Sequence, residues 1–153
     1  MAANAQAMCT SFKKDILNGL HAFGTTVIRA GTTADSFYAA LFLVNSSLGA
    51  ATTAYSSSGE VSGSGYTAGG IAVTNATAPS NSSTVAIWTP SASLNFGTVT
   101  LSSAFDTCLL YNNTASGKNS VATLTFGSQT VTAGNFTLTM PANTAGNALI
   151  QIS

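Results

Sequence analysis

Residues 94–101 read Leu94-Asn-Phe-Gly-Thr-Val-Thr-Leu101, and the phase of their apolar side chains changes partway along. Leu94 and Phe96 occupy one alternating set, Val99 and Leu101 the other. Alternation with a period of two marks a strand with one buried face. A slip of one residue would turn half of those side chains to solvent unless an extra residue absorbs it. The slip falls at Gly97-Thr98, which predicts a β-bulge at that point.

The rest of the chain beyond residue 24 follows the same period. In Phe136-Thr-Leu-Thr-Met140 the apolar residues share one face and the threonines the other, a half-buried strand. Residues 36–44, Ser-Phe-Tyr-Ala-Ala-Leu-Phe-Leu-Val, are apolar on both alternating sets. That pattern suits a central strand covered on both faces. Further strands are expected over residues 70–77, 84–89, 93–102, 105–111, 120–126, 135–140 and 148–152. Residues 46–70 are rich in Ser, Thr, Gly and Ala and read as an extended loop, and Asn112–Lys118 reads as a hairpin loop. Pro79, Pro90 and Pro141 stand at or beyond strand ends, where a missing N–H costs least. The paired threonines at 98/100, 123/125, 130/132 and 137/139 are unevenly spaced and read as solvent faces of ordinary strands. Seven or eight short strands with turn signals between them predict a mainly β fold, an antiparallel β-sandwich of jelly-roll or Ig-like type.

Only residues 7–20 show a helical pattern. Met8, Phe12, Ile16 and Leu20 recur every four residues, with Lys13, Lys14 and Asp15 on other faces. A short N-terminal helix is expected there. The chain divides accordingly into an N-terminal helical arm, 1–24, and a β-sandwich domain, 25–153. The stripe of Met8, Phe12, Ile16 and Leu20 has two possible homes. It caps an open end of the sandwich, or it lies in a groove on a partner as an amphipathic arm.

Composition narrows the function. The 153 residues are 45% hydrophobic but only 5% charged, with four basic and four acidic side chains and a formal net charge of +0. So few cations cannot neutralise the phosphates of a nucleic acid, so no nucleic-acid partner is expected. No apolar run approaches the roughly 18–20 residues of a membrane span, and no membrane partner is expected. The first ten residues lack the basic and apolar regions of a secretory signal, and two cysteines, Cys9 and Cys108, make no disulfide framework.

Catalytic groups are scarce. His21 is the only histidine, and four carboxylates scattered along the chain supply no ligand set for a metal. Asp35 lies in a turn-like Thr-Thr-Ala-Asp-Ser and Asp106 in a strand, which makes poor material for a paired-carboxylate site. Gly59, Gly63, Gly65, Gly69 and Gly70 have no following helix of the phosphate-loop kind. No catalytic role and no cofactor is expected. Trp88, with Tyr55, Tyr66 and Tyr111, leaves a sugar-stacking platform open, and with it a carbohydrate-binding module.

Several stretches together carry a family likeness. They are Asn4-Ala-Gln-Ala-Met-Cys-Thr-Ser-Phe-Lys-Lys-Asp-Ile-Leu-Asn-Gly19, Ala51-Thr-Thr-Ala-Tyr55, Glu60-Val-Ser-Gly-Ser-Gly-Tyr-Thr-Ala-Gly-Gly70, Leu109-Leu-Tyr-Asn-Asn113, Thr132-Ala-Gly-Asn-Phe-Thr-Leu-Thr-Met-Pro141 and Asn147-Ala-Leu-Ile-Gln-Ile152. The chain resembles a family of small structural proteins of tailed bacteriophages, and residues 60–70 are the most specific part of the likeness. The resemblance implies a virion component, in first place a capsid decoration or cement protein. Such a protein is made in the bacterial cytoplasm and bound outside the assembled head. Its partners would be the major capsid protein and other copies of itself, as a homotrimer. A tail or head–tail connector component is the alternative within the same resemblance. The apolar character of both faces of residues 37–44 and the scarcity of charge also point to self-association.

Overall fold

The computed structural model describes residues 4–9, 11–12, 16, 20–23, 34–73, 79–82 and 85–152. Among the described residues eight strands follow in chain order: β1 (Ala7–Met8), β2 (Phe37–Leu43), β3 (Ile71–Ala72), β4 (Ser80–Ser82), β5 (Val85–Trp88), β6 (Leu94–Asn112), β7 (Ser120–Leu138) and β8 (Ile150–Ile152). They form two antiparallel sheets, one ordered β1-β7-β6-β2-β3 and the other β4-β5-β8. The protein is mainly β, as expected.

Two 19-residue strands, β6 and β7, dominate the larger sheet as one hairpin. The sequence suggested four shorter strands here, 93–102, 105–111, 120–126 and 135–140, whereas the polar residues Ser102, Ser103 and Gly127 to Thr130 lie within the two long ones. These residues are indeed exposed, yet the ladder continues through them with register shifts. The expected bulge is present: the register shifts between Asn95 and Thr98, and Gly97 takes a φ of 72°.

The hairpin folds back on itself at this exposed corner. Phe126 and Phe136 lie in the same strand, and ten residues of straight strand would separate them by about 33 Å. Their ring centroids are instead 5.6 Å apart, and Phe136 also meets Phe105 edge-on at 5.0 Å. The main core lies within this fold. Phe96, Val99, Leu101, Phe105, Leu110 and Val121 from the hairpin join Phe37 and Leu41 from β2 and Trp88 and Ile150 from the smaller sheet.

The two alternating sets of β2 part as their pattern predicted. Phe37, Ala39 and Leu41 enter the main core, while Ala40 and Phe42 join Leu109 and Tyr111 in a second cluster on the opposite face. That second face is covered by Leu48 and Tyr55 of the chain's own loop. It is therefore not the apolar surface for a neighbouring copy that the sequence suggested.

The N-terminal reading needs one correction and one limit. Ala7–Met8, the start of the expected helix, is a strand paired with Thr123 and Ala122 of β7. Thr123 fixes it there, since its Oγ1 accepts from Ala7 N at 3.1 Å and donates to Ala5 O at 2.6 Å. Residues 10, 13–15 and 17–19 of the expected helix lie outside the described residues.

Truncating Phe105, which is fully buried at the fold of the hairpin, is expected to cost about 3–5 kcal/mol. Ser128→Ala on the exposed corner should stay within about 0.5 kcal/mol of the parent. Urea denaturation of the two variants checks both.

Candidate functional site

Between Asp35 and Asp106 the sequence holds one charged side chain, Glu60. Residues 60–70 leave β2 and cross to the far half of β6. Glu60 bridges Phe42, Val61 N donates to Leu41 O at 3.0 Å, and further on Ser64 bridges Thr100, whose N donates to Ser64 O at 2.8 Å. The segment thus ties β2 to the part of the hairpin beyond its bend.

The Glu60 carboxylate organises this crossing. Oε1 accepts from Tyr66 Oη and from Gly69 N, each at 2.7 Å, and Oε2 accepts from Tyr55 Oη at 2.6 Å. Tyr66 Oη in turn accepts from Leu41 N at 2.9 Å, and Tyr111 Oη donates to Gly69 O at 2.9 Å. The rings continue the same contacts: Tyr55 stacks on Tyr111 at 4.6 Å and Tyr66 on Phe96 at 6.3 Å. Lys118 Nζ lies over both Tyr55 and Tyr111, within 5.9 Å of each ring centroid.

Close approach of backbone to backbone explains the glycines. A Cβ on Gly70, at φ 76°, would overlap the Ala39 carbonyl, and one on Gly65, at φ 79°, the Thr98 carbonyl. Both are packing requirements of the crossing.

Burial raises the phenols of this cluster. Desolvation, followed for Tyr55 by the bond to Glu60, pushes the Tyr55 and Tyr66 hydroxyls well above their ordinary value, and Tyr111 up to about 12. Desolvation likewise holds the fully buried Cys108 thiol at about 12, and burial raises Cys9. Both cysteines are free and buried.

A second polar centre surrounds Asn112, which is fully buried. Its Oδ1 accepts from Thr114 N and Ala115 N, both at 3.0 Å, which fixes the orientation of the amide. Its Nδ2 then donates to Asp35 Oδ2 at 2.9 Å and faces His21 Nδ1 at 3.2 Å. His21 Nδ1 must therefore be the acceptor, and its ring proton is on Nε2. The ring sits 5.0 Å from that of Phe12. Asp106 belongs to a different group, accepting from Asn4 Nδ2 at 2.9 Å and Thr107 Oγ1 at 2.8 Å. Asp35 and Asp106 thus serve opposite ends of the β2–β6 ladder and form no pair. Among the described residues no cluster of three His, Cys, Asp or Glu side chains could hold a metal ion.

The sequence-selected contact residues lie on the body of the fold. Phe12 is fully buried in the main core, with Met8 and Ile16 packed against it, and Leu20 is half-buried. Trp88 is 2% exposed, so its ring is a core element and not a stacking platform for sugars. Glu60 was missed as an organising residue because its surroundings read as loop. The available signal was its isolation as the one charge among tyrosines and glycines. Comparison of the chain with protein families, with curated proteins and with solved structures gives no match.

Two outcomes follow from the Glu60 cluster. Glu60→Ala removes three bonds to a charged acceptor, each worth about 1.5–3 kcal/mol where buried. The half-exposed position reduces this to about 3 kcal/mol in all, measured by denaturant unfolding. The phenols and Cys108 favour their neutral forms in the fold, with ordinary values of 10.0 and 9.0 against about 12 for Tyr111 and Cys108. Their contribution is complete below pH 9 and is lost as pH climbs from there towards 12. Unfolding free energies across that range should fall steadily, while those between pH 7 and 8.5 stay level with respect to these groups.

Proposed function

We propose that the protein is a structural component of a phage virion, a decoration protein held on the outside of the head. The observation that supports this reading most directly is the use made of residues 60–70, the most specific part of the resemblance. Glu60, Tyr66 and the glycines of that block are engaged in holding one part of the chain to another. A motif spent on shape suits a protein whose work is mechanical.

The finer architecture belongs to the same proposal. A long hairpin folded across itself, with its two halves facing over a shared core, suits a jelly-roll sandwich. The exposed corner at Ser102, Ser103 and residues 127–130 carries no charge. It offers hydroxyl, amide and backbone groups to a shell, so binding there rests on hydrogen bonding and burial with little counterion release.

Purified virions test the proposal. A copy number comparable to that of the major capsid protein is expected, and a few copies per particle would instead favour a connector or tail component. Occupancy on isolated shells should barely change between low and high salt. Detachment at moderate salt would show that Lys13, Lys14 or Arg29 carries the attachment.

A further inference from the structure

We infer that the outer edge of β7 over residues 134–138, together with the groove beside it, is where a second copy of this chain adds its own β7, antiparallel about a two-fold axis. The ladder to β6 uses one side of β7. On the other side, β1 pairs only with Ala122 and Thr123, and no described strand continues past it. An edge of this kind presents a row of backbone donors and acceptors that a partner strand satisfies.

The bend of the hairpin places apolar surface next to this edge. Leu124 and Thr125 from the first half of β7 and Leu138 from its end line one groove with Met140, Pro141 and Leu149. Its volume is about 370 Å³. On the other side of the larger sheet, residues 60–70 bridge β2 at Phe42 and β6 at Thr100.

Charge and pattern select a second copy as the occupant. No charged residue follows Lys118 in the sequence, so two copies of this edge meet without repulsion, and a charged partner finds no counter-charge. The devices that blunt solitary edges, a lysine or a proline within the strand, are missing from residues 134–138. Ala133, at φ 47°, and the register shift near it end the regular stretch on one side, and Pro141 ends it on the other. Asn135 and Thr137 are exposed while Phe136 and Leu138 pack inward. Self-pairing therefore sets Asn and Thr against Asn and Thr on the outer face, a favourable cross-strand match. A three-fold ring built by edge pairing would need a free second edge, and the far edge of this sheet is the two-residue β3. The association is thus two-fold, in place of the three-fold one suggested by resemblance.

Sedimentation equilibrium of the intact chain at micromolar concentration tests this. A dimer is expected, and Asn135→Lys with Thr137→Lys should weaken it by roughly tenfold or more, since like charges opposite one another oppose pairing. Thr137→Val should leave it intact. A monomeric or trimeric wild type, or a double-lysine variant that dimerises as tightly as the parent, would overturn the inference. Hydrogen exchange on the wild type supplies a readout independent of the variants' folding. The amides of residues 134–138 that point away from β6 should lose protection on dilution, and concentration-independent exchange at those amides would also overturn it.

Discussion

A carboxylate with three donors around it is the constraint that holds the two halves of the folded hairpin to one crossing segment. Glu60 gathers Tyr55, Tyr66 and the Gly69 amide, and so joins loop stretches that backbone bonds tie separately to Lys118, Leu41 and Thr100. Through Tyr66 the same group reaches the Leu41 amide of β2, and through Ser64 the segment reaches Thr100 of β6. The β2 contacts lie on one side of the hairpin's bend and the Thr100 contact on the other. The bend is shaped by bulges and filled by Phe105, Phe126 and Phe136, and the crossing segment holds it closed.

This arrangement gives the molecule two unlike flanks. Along one, the backbone of residues 60–70 lies so near the carbonyls of Ala39 and Thr98 that no side chain fits between them. Along the other, the two-residue β1 is the one described strand beside β7, and the two halves of the folded hairpin leave an apolar groove. Binding surfaces on small β proteins concentrate where backbone groups and apolar side chains are left without partners. The β7 flank offers such a surface to a structural protein that must meet copies of itself or a shell.

Much of the fold was legible in the sequence where local patterning and tertiary burial agree. The two-sided apolarity of residues 37–44 announced a strand covered on both faces, and the phase slip at Gly97-Thr98 announced a bulge. The single hairpin was not legible, because its exposed corner at residues 102–103 and 127–130 is polar on both faces and reads as a break. Nor was β1, since Met8 fits a four-residue period as well as it fits a strand and only Thr123 decides between them. Glu60 illustrates a third kind of failure. Its partners lie within nine residues, but the pattern Tyr55, Glu60, Tyr66 and Gly69 has no periodicity, so nothing local showed that a loop was held by a carboxylate.

Amide hydrogen exchange in Glu60→Ala measures the central dependence directly. If the carboxylate holds the crossing in place, protection should fall together at Leu41, Val61 and Thr100, whose amides bond to or within the crossing segment. Amides between β6 and β7 near Leu109 and Thr123 should keep theirs, because that ladder stands without it. Unchanged protection at Thr100 with Glu60 removed would contradict the account, since the crossing would then hold without its carboxylate.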